Sequence, residues 1–255
     1  MTVAAQLLTG CGVRGLEMCA RGCAKLHIGD PPWGATHAKW DRPLDWPRWW
    51  RAIDHVLAPD GIAVVFMSAR LSWIVGPLAP RRFSYDLILR KNRASGHLNA
   101  KRAPLRAHES IYVFGDPAKG PTAYRPQFTE GHGPMSSGVR RSFSKLYRRE
   151  TTTTIKAGTT RRYATSVLDV DVVPNDRPVR IHETQKPVEL LRWLVRAYTE
   201  PGDLVIDSTF GSGASLKAAE VEGRRALGWE IDPARADRAR RWLEGRDTAL
   251  FAGVA

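Results

Sequence analysis

Asp30-Pro31-Pro32-Trp33 is a run of four residues that could prepare an amino group for reaction. The exocyclic amine of a nucleobase is a poor nucleophile, because its lone pair is delocalised into the ring. A carboxylate and a backbone carbonyl held side by side can accept its two protons and leave the lone pair aimed at an electrophile. Asp30 offers the carboxylate. The Pro31 carbonyl offers the second acceptor, and Pro31 has no N–H to misdirect the group. Trp33 adds a flat face on which a base can stack. A surface turn could carry the same four residues, so their meaning depends on their company.

The second such stretch is Asp207-Ser208-Thr209-Phe210-Gly211-Ser212-Gly213, between the apolar run Leu204–Asp207 and a helical pattern from Ala214. Glycines there let the backbone approach a ligand closely. Glu230, at the end of the next strand-like run, is placed to accept hydrogen bonds from ribose hydroxyls. The loop lacks the further G-x-x-G that marks a pyrophosphate site. A ligand with a ribose and no phosphate suits it better, and S-adenosylmethionine is one. A turn that serves only packing is the alternative.

The elements that must position these groups follow from periodicity. A short helix is expected over Glu17–Lys25, then a brief strand Leu26–Gly29 that must turn at the two prolines. Trp46, Trp49, Trp50, Ile53 and Leu57 share one helical face. Pro59-Asp60-Gly61 reads as a turn before the buried strand Ile62–Met67, and Tyr85–Leu89 with Ser110–Phe114 as a further strand pair. Downstream come helix Val188–Tyr198, strand Leu204–Asp207, helix Ala214–Glu222, strand Ala226–Glu230 and an Arg-rich helix over Pro233–Glu244. Strands alternating with helices over short connections give an α/β fold with a doubly wound parallel sheet. From 116 to 180 the apolar runs vanish and Gly, Pro, Ser, Thr and basic residues take over. The expectation is a single domain over 1–255 with an inserted basic region at 116–180.

Lys and Arg total 39 against 26 Asp and Glu, a formal charge of +13 and a pI near 10.1. Such an excess points to a polyanion, since each neutralised phosphate releases a counterion; a generally basic background is the plainer reading. One basic cluster holds Arg81, Arg82, Arg90, Lys91, Arg93, Lys101, Arg102 and Arg106. The insert holds Arg125, Arg140, Arg141, Lys145, Arg148, Arg149, Lys156, Arg161 and Arg162. Cys11, Cys19 and Cys23 precede His27, but their spacing completes no zinc pattern, so thiols in a reducing compartment are expected and no metal. With no apolar run of about 18 residues and no basic, apolar leader, a cytoplasmic protein is expected.

Together these stretches resemble the β-class of DNA amino-methyltransferases, in which the D-P-P-[YW] motif precedes the cofactor motif. The resemblance rests on Gly29–Gly34, His182-Glu183-Thr184-Gln185-Lys186-Pro187 with the Val188–Leu191 that follows, and Asp207–Gly213. Leu98–Lys101 and Arg106–Ser110 add to it, so only about 116–180 lies outside. It implies a Rossmann-like methyltransferase fold with a reversed hairpin strand, S-adenosylmethionine as methyl donor and a flipped base in double-stranded DNA as acceptor. It also implies that Asp30, Pro31, Pro32 and Trp33 are catalytic. Asp207, Thr209, Phe210, Gly211, Ser212 and Gly213 would line the cofactor, with Glu230 on its ribose and Thr184, Gln185 and Lys186 near its methionine end. Arg93, His97, Asn99, Lys101, Arg102, Arg140, Arg141, Arg148 and Arg149 are the candidate DNA contacts, and homodimers are common in the class. Asp at position 30, rather than Ser, favours adenine N6 over cytosine N4. Trp33 replaces the commoner Tyr, and Glu183 stands where the class usually has Pro.

Overall fold

The computed structural model describes residues 5–34, 38, 40–115, 124–144, 149–170 and 185–245. Its first strand, β1 (Gln6–Thr9), runs through Gly10 and Cys11 into α1 (Gly12–Met18). The helix expected over Glu17–Lys25 therefore lies earlier, and Ala24 and Lys25 already belong to β2 (Ala24–Gly29). The reason is a close contact between elements distant in sequence. Gly15 of α1 faces the Trp229 indole, where a Cβ would come within 2.1 Å of the ring.

Helix α2 (Trp46–Val56) starts where Asp45 accepts the Arg48 N–H and Pro47 occupies the first turn. It buries Trp49, Trp50, Ile53 and Val56. Strand β3 (Leu57–Met67) begins before the apolar run that announces it, because Leu57 already pairs with Ala24. Helix α3 (Ala69–Val75), capped by Ser68, leads to a long hairpin of β4 (Arg82–Ser95) and β5 (Arg106–Gly115).

The chain then forms a second compact unit, Pro126–Thr165. Within it β6 (Phe128–Thr129) pairs with β9 (Arg162–Tyr163), and β7 (Gly138–Ser144) with β8 (Arg149–Ile155), both antiparallel. Phe128 stacks on Tyr163, and the Arg161 guanidinium lies 4.3 Å from the Phe128 ring centre. The main sheet resumes at β10 (Val167–Asp169), inside the stretch that composition assigns to the insert, because Val167 and Leu168 find Ile88 and Leu89 of β4 as neighbours. The remaining elements are α4 (Val188–Tyr198), β11 (Leu204–Asp207), α5 (Ala214–Val221), β12 (Arg225–Glu230) and α6 (Pro233–Leu243).

The eight strands of the main sheet lie in the order β1-β12-β11-β2-β3-β5-β4-β10. All neighbouring pairs are parallel except those made by β5, which runs against both β3 and β4. This is the mostly parallel α/β sheet with a reversed hairpin strand. Side chains of β3 alternate between its faces. Ile62, Val64 and Phe66 pack with α4, α5 and α6, while Ala63, Val65 and Met67 pack with α1, α2 and α3. From β2 the chain winds outward to β3, and from β11 it winds the other way to β12. The sheet therefore changes direction between β2 and β11, and there a crevice opens at the strands' carboxyl ends.

Candidate active site

Asp30 follows directly on β2, and Asp207 ends β11, its neighbour in the sheet. The pairing of Val205 with Leu26 and Ile206 with His27 brings the two sequence motifs to one edge. They share a cavity of about 330 Å³, lined by Asp30, Pro32, Gln185, Lys186, the loop Asp207–Ser212 and Glu230.

On the β11 side, Asp207 is 5% exposed. Its carboxylate accepts the Thr209 N–H at 2.9 Å and the Ser215 hydroxyl. Burial pushes this carboxyl up to about 7, against the pull of those two donors. Glu230, also buried, accepts the Gly211 N–H at 3.1 Å and the Asp232 N–H at 2.9 Å, and so ties the glycine loop to the end of β12. Gly211 and Gly213 have φ of +52° and +77°, a conformation that other residues rarely adopt. The Thr209 hydroxyl is buried with no hydrogen-bond partner among the described residues, which suits a wall that meets a polar ligand.

Beneath the loop, Ser208 Oγ accepts the Trp49 indole N–H at 3.1 Å and lies 3.1 Å from His27 Nε2. His27 is fully buried, and burial lowers it to about 3, so it stays neutral. The floor continues through Gly10, Cys11, Gly12 and Val13, which the sequence reading passed over. A Cβ on Gly12 would come within 1.9 Å of the Ser208 carbonyl oxygen, so only glycine lets α1 start against this loop. The visible signal was a Gly-x-Gly after a short strand, at the wrong end of the chain to be read as part of a site. Trp40 and Arg235 meet at the cavity wall, guanidinium to ring centre 5.0 Å.

On the β2 side, Asp30 Oδ2 accepts from Lys186 Nζ at 2.6 Å. Lys186 thus reaches the D-P-P-W motif, and its ammonium lies 5.1 Å from the Phe66 ring centre and 5.8 Å from that of Trp33. Pro31 is buried and Pro32 faces the cavity. Trp33 is half-buried, its indole N–H donating to the Phe66 carbonyl at 3.2 Å. The turn after it is fixed by Asp41, whose carboxylate accepts the Gly34 N–H at 2.7 Å.

Of the basic residues singled out, Arg93, His97, Asn99, Lys101 and Arg102 are exposed around the tip of the β4–β5 hairpin. That tip extends from the sheet edge where Asp30 lies, since Ser110 of β5 pairs with Met67 at the end of β3. Arg81 is different. It is bound to Asp54 at 2.9 Å and to the Gly61 and Leu57 carbonyls, so it braces the fold. In the second unit, Arg141 is exposed on β7 opposite Thr152, Arg140 pairs with Thr153 and Arg149 with Ser144. Thr184 and Arg148, with His182 and Glu183, lie outside the described residues. All three cysteines are free, and no group of three His, Cys, Asp or Glu among the described residues could hold a metal. No described helix is long and apolar enough to cross a membrane.

Comparison with known proteins agrees with this geometry. The pattern of the N6_N4_Mtase family, described as DNA methylase, matches residues 25–241. The Type II methyltransferase M.Cfr9I of Citrobacter freundii is 40% identical over 70 residues, and M.XycI of Xanthomonas campestris pv. cyanopsidis 39% over 70. Each match covers 28% of this chain and spans only 23% of the relative's length. Among solved structures, the M1.HpyAVI–SAM complex superposes with a TM-score of 0.62 at 17% identity, over 93% of this chain and 99% of that one. The PvuII DNA methyltransferase (cytosine-N4-specific) gives 0.64 at 15% identity, over 96% and 94%.

Proposed function

Because the chain belongs to the DNA methylase family of N6- and N4-directed enzymes, we propose that it moves the methyl group of S-adenosylmethionine to the N6 amino group of adenine in double-stranded DNA. The observation that carries this reading is the shared cavity, in which the Asp30 carboxylate and the Asp207–Ser212 loop close on one space. S-adenosylmethionine supplies a methyl group on a sulfonium centre, and the residues present suit it. Glu230 has the place and chemistry to take the ribose hydroxyls. The glycine loop gives close backbone approach, and Asp207 offers a carboxylate to a cationic ligand.

On the acceptor side, Asp30 and the Pro31 carbonyl accept hydrogen bonds from the two amino N–H groups and turn the lone pair towards the donor. The base must leave the duplex to reach them. Exposed cations on the β4–β5 hairpin, with Arg140, Arg141 and Arg149 of β7 and β8, suit contact with phosphates and give the protein a salt-dependent hold on DNA. An inserted recognition region within 116–180, its compact described part Pro126–Thr165, is part of this proposal, as is a homodimer, which sedimentation would detect.

Asp30 in place of Ser supports adenine as the acceptor. A cytosine-N4 reading draws on the printed specificity of the PvuII neighbour, whose 15% identity carries fold alone. Incubating the chain with unmethylated plasmid and methyl-labelled S-adenosylmethionine, then hydrolysing the DNA to nucleosides, decides between them. N6-methyladenine that disappears with Asp30→Ala is the expected product; N4-methylcytosine would overturn the adenine assignment. Binding to DNA with no uptake of the cofactor would instead mark a non-catalytic module.

A further inference from the structure

Glu109 plays no part in the reaction set out above, yet it shares a lysine with Asp30. It lies near the start of β5, opposite Leu89 of β4 and one residue before Ser110, which pairs with Met67 at the end of β3. Its Oε2 is 3.4 Å from Lys186 Nζ, the same ammonium that holds Asp30 Oδ2 at 2.6 Å. Lys91 Nζ stands 3.9 Å from Glu109 Oε1 on the far side. The Lys186 side chain is only 11% exposed, so water does little to loosen the arrangement.

We propose that Glu109 is a positioning residue for methyl transfer: by drawing on the same ammonium it keeps Lys186, which holds Asp30 charged, from claiming the Asp30 carboxylate for itself, so that Asp30 stays free to accept hydrogen bonds from the amino group of the base. This rests on the methyltransferase reading. A buried carboxylate with no cation tends to take up a proton, and the resulting acid is a poorer acceptor. A carboxylate with a lysine to itself is an equally poor partner, because the base must displace or outcompete that ion pair. Two carboxylates on one ammonium avoid both extremes.

The charged groups facing Asp30 are Lys186 from the segment before α4, Glu109 from β5, Asp41 from the loop after the motif and Asp207 from β11. Burial raises the Asp30 carboxyl; Lys186 works against that, and Glu109 and Asp41 add to it. Burial alone would lower Lys186, but Asp30 and Glu109 together hold it above its ordinary value. The two rises differ in their main cause, burial for Asp30 and the neighbouring carboxylates for Lys186, but Glu109 adds to both. Removing the lysine and removing the glutamate should therefore act in opposite senses.

The test is the pH profile of kcat for the full chain, at saturating S-adenosylmethionine on unmethylated plasmid, for wild type, Lys186→Gln, Lys186→Arg and Glu109→Gln. The acid limb of kcat reports the ionisation of Asp30 in the loaded enzyme. Lys186→Gln should move that limb up by about one unit or more, so that turnover lost at pH 7, roughly tenfold, largely returns by pH 9. Lys186→Arg, which keeps the charge, should hold the limb within about half a unit. Glu109→Gln should move the limb down and lower the plateau by about tenfold, as Lys186 settles on Asp30 alone. A second readout needs no turnover: an NMR titration of the Lys186 side chain in the free protein should show its pKa falling in Glu109→Gln. Limbs that stay put or move the same way, or an unmoved lysine titration, would overturn the inference while wild-type turnover stands. Absence of methyl transfer by the wild type would remove the proposed function itself.

Discussion

Asp30 and Asp207 stand at the ends of neighbouring strands on the same edge of one sheet, and their surroundings differ in kind. Asp30 meets an ammonium, Lys186 at 2.6 Å, and the same ammonium reaches Glu109. Asp207 meets neutral donors, the Thr209 N–H and the Ser215 hydroxyl, and burial lifts it to about 7. The first arrangement suits a carboxylate that must stay charged as one base after another enters and leaves. The second suits a carboxylate whose charge is completed by what binds beside it, because a cationic ligand supplies the counter-charge the protein withholds.

The largest effect should come from the charged end. Asp30→Asn keeps the shape but offers an N–H in place of one acceptor oxygen and ends the ion pair with Lys186. Turnover should fall by about 10³-fold or more, whereas calorimetry should show S-adenosylmethionine binding changed by less than about threefold. Equal losses in both would break the division between the two strand ends.

Next in size is the pH behaviour of Asp207. Its folded pKa of about 7 lies above that of an exposed Asp, so the free protein binds the extra proton between pH 4 and 7. Stability from this group is therefore greatest below about pH 4 and falls as pH rises to about 7, by at most on the order of 4 kcal/mol. Cofactor affinity runs the other way. A cationic ligand prefers the carboxylate, so Kd should fall about tenfold from pH 6 to pH 8. In Asp207→Asn the same titration reports only the ligand's own ionisation, and the pH-dependent loss of stability attributable to this residue should be gone. A wild-type slope that survives in the variant would show that Asp207 does not face the ligand.

Much of this contrast was legible in the sequence and some was not. The motif Asp30–Trp33 and the loop Asp207–Gly213 are contiguous, each at the end of an apolar strand, so local pattern finds them. That most of the sheet is parallel then follows from alternation with helices. Glu109 and the contact of Lys186 with Asp30 are not local: they depend on β5 running against β3 and on the segment before α4 reaching the end of β2. Composition also misleads at Arg81, which counts as a surface cation in a charge tally and is in fact bonded to Asp54 and backbone carbonyls. Gly12 was missed because its reason is the Ser208 backbone, far away in sequence.

Gly12 gives the third test. Its missing side chain lets α1 close the β11 end of the cavity, and a Cβ there would overlap the Ser208 carbonyl oxygen at 1.9 Å, a backbone atom that cannot rotate aside. Gly12→Ala should destabilise the protein by about 1–3 kcal/mol in urea unfolding and weaken cofactor binding. The pH limb set by Asp30 should stay where it is, since the shift falls on the other strand end.

The smallest expected effect is the sharpest test of neutral against ionic support. Ser215→Ala removes one of the two donors on Asp207 and leaves the Thr209 N–H in place. Losing a hydrogen bond to a charged acceptor should raise the Asp207 midpoint by about one unit. At pH 7 cofactor affinity should then drop about fivefold, while at pH 8.5, where both forms are ionised, it should match wild type within about twofold. A loss that is the same at both pH values would mean that Ser215 shapes the cavity rather than the charge of Asp207. The β11 end would then be held by packing, and the difference between the two carboxylates would lie in the lysine alone.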